Sequence, residues 1–315
     1  MNSEGLTNAC VHFARSIMVG VLGLLPFAPI QAQPVATPTA TARTIVDGLQ
    51  FPEGTVFVGT TLYFVDYGRS EVLRIVGGEA QRVWQRDGCG ANGLAPSGDG
   101  LLVACYDSGA IVEITTDGRT LREINTDDAG NPLIHPNDLT ADHHGGVYFT
   151  ASGSADTPGK VFYRDTAHHV REVATGIRYA NGVAVSPDNG TLYVAESDAA
   201  RVLAFTIRGS AQLSHRRLFA AQTAFGPLAA NTRFTPDGVR TDAHGNVFVA
   251  QYDGGGFAVF AADGRLREAV RLPLAHHSNL AIAPDGRSVF VTAIPDEADG
   301  AKRGALLQVP NPVGP

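Results

Sequence analysis

The sequence repeats one short unit six times. Each copy begins with a polar residue, here called the anchor, and continues through a Gly-containing turn into an apolar strand pattern such as LYVAE or VFVAQ. A unit of this size cannot bury its apolar face alone, so the copies must pack against one another. The six anchors, in chain order, are Glu53, Asn92, Asn137, Asn181, Asp237 and Asn279.

The spacing of the anchors indicates the architecture. Successive anchors are 39, 45, 44, 56 and 42 residues apart, which is close to the length of a four-stranded propeller blade. With 36 glycines, 18 prolines and only 17% charged residues, the composition is typical of a turn-rich β protein. We therefore predict an all-β fold, a six-bladed β-propeller with four-stranded blades around a central channel.

Two segments depart from the regular repeat. The last copy is short, because the chain ends soon after the strand pattern GALLQV. We expect Thr41 to Val46 to supply the outermost strand of the last blade and to close the ring. Ser210 to Phe234, in the longest interval, lacks strand periodicity over part of its length. We expect an elaborated loop there.

The N-terminal residues have the features of a secretory signal peptide. Ile17 to Phe27 form a short apolar run behind Arg15, and small residues follow around Ala32. No later segment approaches the roughly 20 apolar residues that a transmembrane helix needs. We expect an exported protein, periplasmic or secreted, without a membrane span. The predicted organisation is a signal peptide over 1–32, a linker over 33–43 and a six-bladed propeller hydrolase domain over 44–315.

Two of the three cysteines lie in the predicted mature protein. Cleavage near Ala32 would remove Cys10 and leave Cys89 and Cys105. Cys89 precedes one strand pattern and Cys105 ends the next, so both lie at the same end of a predicted hairpin. In an oxidising compartment such a pair is read as a bridge. A disulfide and a pair of buried free thiols both stay open at this point.

The charge of the chain narrows the class of partner. The formal net charge is -7, and no cluster of Lys and Arg occurs along the sequence. Neutralisation of phosphates requires such a cluster, so we expect no nucleic-acid partner. We expect a small-molecule substrate.

The anchors also predict chemistry. The first strand of each propeller blade lines the channel, so equivalent positions form a ring around its axis. The ring of anchors has two carboxylates and four amides. Oxygen donors of this kind suit a hard divalent cation, Ca²⁺ first, with Zn²⁺, Mg²⁺ or Mn²⁺ as alternatives. Asn-Gly and Asp-Gly also form ordinary turns, but here they precede the strand, and each hairpin has a turn of its own.

At these residues the chain resembles the gluconolactonase and regucalcin (senescence marker protein) family of six-bladed propellers. The resemblance extends from Val46 to Val309. Its most specific pieces are Pro52-Glu53-Gly54, His135-Pro136-Asn137-Asp138, the run from Asn181 to Asp188, and Pro236-Asp237-Gly238-Val239.

The resemblance implies a function for several anchors. Glu53, Asn181 and Asp237 would bind the catalytic divalent metal, and Asn137 would be a further ligand or a substrate contact. Family members typically hydrolyse lactones, many of them sugar lactones. A metal that polarises the carbonyl, with Asp237 as general base, suits that reaction. Some members have an arginine at the position of His135, where it helps to hold a sugar acid.

Several residues beside the anchors are candidates for the substrate pocket. Asn92 belongs to the ring, and His135 and His277 lie just before anchors, where a group that titrates near neutral pH could touch substrate. Tyr106, Arg178 and Tyr179 are expected at the pocket rim. Two other functions stay open: a metal-dependent hydrolase of phosphotriesters or other esters, and a non-catalytic propeller that binds a ligand.

Overall fold

The computed structural model describes residues 41–225, 235–296 and 303–315. Within them, 24 strands form six four-stranded antiparallel sheets arranged in a ring. This confirms the predicted six-bladed β-propeller. The predicted signal peptide, residues 1–32, and most of the predicted linker lie outside the described residues.

The strands follow the chain from blade to blade. β1 (Arg43–Leu49) comes before the first complete blade. Blade 1 contains β2 (Pro52–Val58), β3 (Thr61–Asp66), β4 (Glu71–Val76) and β5 (Glu79–Gln85). Blade 2 contains β6 (Ala91–Ser97), β7 (Gly100–Cys105), β8 (Ala110–Thr115) and β9 (Thr120–Ile124). Blade 3 contains β10 (Pro136–Ala141), β11 (Val147–Ala151), β12 (Gly159–Arg164) and β13 (Val170–Ile177).

The second half of the ring has the same order. Blade 4 contains β14 (Ala180–Val185), β15 (Thr191–Glu196), β16 (Arg201–Gly209) and β17 (Gln212–Ala221). Blade 5 contains β18 (Pro236–Thr241), β19 (Val247–Gln251), β20 (Gly256–Phe260) and β21 (Leu266–Arg271). Blade 6 contains β22 (His276–Ile282), β23 (Ser288–Ile294) and β24 (Gly304–Pro310).

The N-terminal strand completes the last blade. β1 pairs antiparallel with β24, with Arg43 opposite Gln308 and Leu49 opposite Gly304. The sheet order is therefore β22-β23-β24-β1, as the short last repeat predicted. Joining the first and last strands of the propeller in one sheet closes the ring and covers the edge of β24.

The core lies between neighbouring blades. Successive side chains of a strand point to opposite faces. The second strand of each blade therefore packs against both neighbouring blades. In β7, Leu101, Val103 and Cys105 pack with residues of blade 1, whereas Leu102 and Ala104 pack with residues of blade 3. Because both faces are buried, the second strands are largely apolar in sequence.

One expectation about the longest interval was wrong. Ser210 to Phe234 was expected to be an elaborated loop, but Gln212–Ala221 is a ten-residue strand, the outermost of blade 4. Only Phe219 and Ala220 are buried, and two adjacent buried residues produce no apolar alternation along the strand. Residues 226–234 lie outside the described part of the chain.

Helical structure is confined to three short 3₁₀ turns in the described ranges: Tyr67–Arg69, Ser197–Ala199 and Gln222–Phe225. No helix in that part of the chain has the length and apolar character needed to cross a membrane.

The two cysteines of the propeller form a disulfide. Cys89 and Cys105 are bonded, and both are fully buried. The bond ties the segment before β6 to the end of β7, which decides between the two alternatives that the sequence left open. It also holds the backbone beside Tyr106, whose N–H donates to the carbonyl oxygen of Gly90 at 2.9 Å.

Candidate metal centre and substrate cavity

The first strand of every blade has a one-residue β-bulge near its N-terminal end. In blade 4, Ala180 pairs with Glu196 and Val183 with Val194, so Asn181 and Gly182 together oppose one residue. The other five blades show the same shift. A bulge locally re-aims side chains, and each anchor lies in the bulge or directly beside it.

Four of the anchors are each followed by a glycine, and close packing around the channel leaves no room for a side chain at these positions. A Cβ on Gly54 would lie 2.2 Å from the carbonyl oxygen of Asn92, and one on Gly182 would lie 2.1 Å from that of Asp237. In both cases the contact is with the anchor of a neighbouring blade. The Glu-Gly, Asn-Gly and Asp-Gly pairs thus mark the packing of first strands against one another rather than hairpin turns.

Five anchors line one cavity. It has a volume of 520 Å³, and Glu53, Asn92, Asn137, Asn181 and Asp237 contribute to its wall. Each of the five is at most 8% exposed. The structure therefore brings together the four predicted metal ligands and the predicted substrate contact Asn92.

The sixth anchor, Asn279, lies in a buried layer of the channel beneath the cavity, called here the deeper layer, together with Thr55, Asp138 and Arg240. Asn279 does not line the cavity, and its Oδ1 accepts hydrogen bonds from Thr55 Oγ1, Arg240 Nη2 and the Leu280 N–H, at 3.2, 3.0 and 2.9 Å. An oxygen engaged by three donors has no lone pair left for an ion. The ring of six equivalent positions thus provides five cavity residues.

Hydrogen bonds orient the amide anchors. Asn137 donates from Nδ2 to Ser152 Oγ at 3.1 Å, and Asn92 donates from Nδ2 to the carbonyl oxygen of Asn137, also at 3.1 Å. Each amide thereby keeps its Oδ1 as an acceptor. The side chain of Asn181 forms a hydrogen bond with Asp237.

The two carboxylates are buried without a protein cation bonded to them. Burial raises the pKa of Glu53 to about 8, and the charge of Asp138 adds to this, against the lowering effects of the Gly54 N–H and Arg240. Burial, and then the charge of Glu53, raises the pKa of Asp237 well above its usual range. In the described ranges neither forms an ion pair with Lys, Arg or His. A bound cation would allow both to ionise.

The donor set fits a hard ion. No group of three or more His, Cys, Asp or Glu side chains with a metal-binding arrangement occurs in the described residues. An ion between Glu53 and Asp237 would therefore take further ligands from amide oxygens such as those of Asn137 and Asn181. Carboxylate and amide oxygens are ligands that Ca²⁺ accepts.

A buried ion pair crosses the channel in the deeper layer. Arg240 on β18 binds Asp138 on β10 through both Nη atoms, at 2.7 and 3.1 Å. The same guanidinium donates to the carbonyl oxygens of Val239 and Thr55 and to Asn279. This pairing accounts for Asp138 at the position that is Gly in four of the other copies. The hydrogen bonds of Arg240 thus go to groups other than Glu53 and Asp237, although its charge still lowers the pKa of Glu53.

Serine hydroxyls hold the backbone immediately before the three predicted principal ligands. In each case the serine donates to the carbonyl oxygen of the residue that precedes the ligand. The pairs are Ser278 with Pro52 at 2.8 Å, Ser152 with Ala180 at 2.9 Å, and Ser197 with Pro236 at 2.7 Å.

Aromatic side chains surround much of the cavity mouth. They are Phe51, Tyr67, Tyr106, Tyr179 and Tyr252. Tyr106 and Tyr179 were expected at the rim, but the other three were missed. A signal was available, because the position directly after the second strand of successive repeats is occupied by Tyr67, Tyr106, Ser152, Ser197 and Tyr252.

The two histidines expected to touch substrate lie outside the cavity. His135 stacks on Tyr106 with ring centroids 4.5 Å apart, and its Nδ1 lies 2.7 Å from the carbonyl oxygen of Gly153. It lines a neighbouring groove of 730 Å³, as does Arg178. His277 is fully buried, and its Nε2 lies 3.0 Å from the carbonyl oxygen of Pro273. Burial lowers its pKa to about 4. The expectation of direct contact is not met by either placement.

Three relatives of the chain have names of hydrolases. A pentonolactonase of Haloferax volcanii is 27% identical over 66% of this chain and 69% of its own length. The diisopropyl-fluorophosphatase of Loligo vulgaris is 27% identical over 61% of this chain and 64% of its own length. A gluconolactonase of Zymomonas mobilis is 27% identical over 65% of this chain. The chain spans 61% of that relative, so the last two are matched over less than two thirds of their length.

Solved structures share the fold. A gluconolactonase from Xanthomonas campestris superposes with a TM-score of 0.73 at 24% identity, over 86% of this chain and 89% of the other. A calcium-binding protein, regucalcin, from Agrobacterium tumefaciens superposes with a TM-score of 0.69 at 16% identity, over 86% and 93% of the two chains.

The family assignment rests on a match that spans most of the chain. The family model of the SMP-30/gluconolactonase/LRE-like region matches residues 51–295, from two residues before the first anchor to the residue after β23. The interval contains all six anchors and all five aromatic residues of the mouth. The chain therefore belongs to the SMP-30/gluconolactonase/LRE-like family.

Proposed function

We propose that the protein is an exported, divalent-metal-dependent lactone hydrolase that acts on sugar or related lactones. The observation that carries the proposal is the pair of buried carboxylates, Glu53 and Asp237, at one cavity with Asn137 and Asn181. Relatives named pentonolactonase and gluconolactonase support the reaction class.

The proposed ion site consists of Glu53, Asn181 and Asp237, with Asn137 as a further ligand or a substrate contact. We favour Ca²⁺ because all donors are oxygens, and Zn²⁺, Mg²⁺ and Mn²⁺ are the alternatives. When bound, the ion would supply a Lewis acid that polarises the lactone carbonyl and stabilises negative charge on its oxygen.

The residues of the chain have separate roles in this proposal. Asp237 accepts the proton of the attacking water, as a carboxylate beside the reacting centre can. Its hydrogen bond with Asn181 and the serine bond to Pro236 hold it in one orientation. Asn92 and Asn137 present amide oxygens to a bound substrate.

Export is a further part of the proposal. The apolar run before Ala32 is typical of a signal peptide, and the Cys89–Cys105 disulfide suits an oxidising compartment. We place the protein in the periplasm or outside the cell. Edman sequencing of the exported protein tests this, because a start near Gln33 is expected and a start at Met1 would contradict it.

A substitution of Asp237 tests the catalytic assignment. Asp237→Asn should abolish hydrolysis of lactones and weaken ion binding, measured by calorimetry with Ca²⁺ on chelator-treated protein. Asp198→Asn is the matched control, because Asp198 lines the same cavity outside the ring of anchors and should leave ion binding within about threefold. Retained turnover by Asp237→Asn would refute the assignment.

A second function is supported by the relative named diisopropyl-fluorophosphatase. Phosphotriester hydrolysis also uses a Lewis acid and a carboxylate. A panel of aldonolactones, aliphatic lactones and a phosphotriester should therefore be assayed after chelation and after re-addition of Ca²⁺, Mg²⁺, Mn²⁺ or Zn²⁺. Turnover only of the phosphotriester would favour this second function. Ion binding without any turnover would favour a non-catalytic ligand-binding propeller.

A further inference from the structure

Five aromatic rings form a continuous arc around much of the cavity mouth. Tyr252 and Phe51 have ring centroids 6.3 Å apart, Phe51 and Tyr67 5.7 Å, and Tyr67 and Tyr106 6.3 Å. The arc continues to Tyr179, whose hydroxyl lies 3.2 Å from that of Tyr106. Because these residues come from several blades, only closure of the propeller assembles the arc.

The rings of the arc are held in place by residues behind them. His135 stacks on Tyr106 and His276 stacks on Tyr252, each with centroids 4.5 Å apart. The buried carboxylate of Asp66 accepts the N–H of Phe51 at 2.9 Å. A surface that is already ordered loses little conformational entropy when a ligand binds.

Most hydroxyls of the arc are already bonded within the protein. Tyr67 donates to Asp107 Oδ1 at 2.8 Å, and Tyr106 and Tyr179 bond to each other. These residues offer a ligand mainly the faces and edges of their rings, and one hydroxyl hydrogen of the Tyr106–Tyr179 pair. The cavity also has polar lining residues outside the ring of anchors, namely Ser197, Asp198, Thr235 and Asp253. A polyhydroxylated lactone needs a polar partner for each hydroxyl that it buries. A flat apolar ring needs only stacking or edge contacts.

We propose that the preferred substrates of this site are lactones or related esters that have a flat apolar ring as a substituent, which packs on the aromatic arc. This rests on the hydrolase function proposed above and narrows its substrates from sugar or related lactones to lactones or esters with such a substituent. The reacting carbonyl lies among Glu53, Asp237 and the amide anchors, and the substituent lies toward Phe51, Tyr67 and Tyr106. An aromatic arc at the mouth then acts as the specificity-determining surface.

The expected preference can be measured with a matched pair of substrates. γ-Phenyl-γ-butyrolactone and γ-butyrolactone share the reacting ring and differ by one phenyl group. Stacking and edge contacts with one or two rings of the arc should raise kcat/KM for the phenyl compound about tenfold. Glucono-δ-lactone serves as the polyhydroxylated comparison and should also be the poorer substrate.

Two substitutions of Tyr67 test whether the aromatic arc causes the preference for the phenyl compound. Tyr67→Ala removes a central ring of the arc and should lower the preference for the phenyl compound about three- to tenfold. Tyr67→Phe keeps the ring, loses only the bond to Asp107, and should retain the preference. Thermal unfolding of both variants shows whether each is folded.

A binding measurement separates this proposal from the hydrolase proposal. Calorimetry with 3-phenylcyclopentanone and cyclopentanone, which cannot be hydrolysed, should show about tenfold tighter binding of the phenyl compound. Tighter binding without turnover of any lactone would refute the hydrolase function and support the aromatic surface. Turnover of glucono-δ-lactone with no preference for either phenyl compound would overturn the proposed substrate class and leave the hydrolase function standing.

Discussion

Removal of Arg240 should destabilise the whole propeller, because its guanidinium forms a buried ion pair across the channel. The side chain of Asp138 is 1% exposed and that of Arg240 is 15% exposed. Asp138 also accepts the N–H groups of Leu139 and Val183, at 2.9 and 3.3 Å. The pair therefore connects β10, β14 and β18, the first strands of blades 3, 4 and 5.

The magnitude follows from the burial of the carboxylate. In Arg240→Met, Asp138 keeps a buried charge without its partner, and breaking a buried pair in this way typically costs about 3–5 kcal/mol. For a domain of this size about 2 °C of unfolding temperature is lost per kcal/mol. We expect calorimetry to show a decrease of about 6–10 °C, measured on chelator-treated protein so that no ion compensates the charge.

A double variant and a surface control make the reasoning refutable. Asp138→Leu combined with Arg240→Met removes both charges and should be more stable than the sum of the two single variants predicts, since the two sites are coupled. Glu123→Gln breaks the exposed Arg86–Glu123 pair and should cost less than about 1 kcal/mol. A loss below about 1 kcal/mol in Arg240→Met, or strict additivity in the double variant, would show that the buried pair does not stabilise the channel.

Three further predictions concern stability. The folded pKa of His277 is about 4, below its ordinary 6.5, because the buried ring stays neutral. Keeping this ring neutral contributes about 3 kcal/mol of stability, which is complete above pH 6.5 and is lost as the pH falls toward 4. In His277→Gln the free energy of unfolding, measured with urea, should depend less on pH over that range. An unchanged pH dependence would show that His277 does not cause it. Replacing Cys89 and Cys105 by serine should cost about 3 kcal/mol in urea unfolding, from a sequence separation of 16, and two labelled thiols in denatured, unreduced wild type would contradict the bridge. Starting the chain at Leu49 removes most of β1 and exposes the edge of β24, so the unfolding temperature should fall by more than about 10 °C; a smaller decrease would mean that blade 6 is stable with three strands.

Much of the fold could be predicted because the repeat carries the information locally. Each copy contains its own turn residues and an apolar second strand, and the intervals between anchors give the number of blades. The strand Gln212–Ala221 was missed because only two adjacent residues of it, Phe219 and Ala220, are buried. Strand periodicity in sequence arises from burial on one side, so an exposed outer strand gives no such signal.

The candidate site was predictable only in part, for a related reason. The anchors Glu53, Asn181 and Asp237 stand at equivalent positions of the repeat, so their meeting at one channel follows from the fold. His135 and His277 also stand next to anchors, yet one supports Tyr106 and the other is fully buried. The direction of a side chain depends on the local bulge and on the neighbouring blade, which proximity in sequence does not reveal.

The sequence by itself determined the six-fold repeat, the oxygen donors at its anchor positions and the pair of cysteines that can bridge one hairpin. Only the tertiary structure decided that Asn279 turns into the deeper layer, that Arg240 pairs with Asp138 across the channel, and that five aromatic rings meet at the mouth. These contacts join residues of different blades, tens to hundreds of positions apart, and they exist only when the ring closes. Local patterns set what each blade can be, whereas packing between blades sets what the site can do.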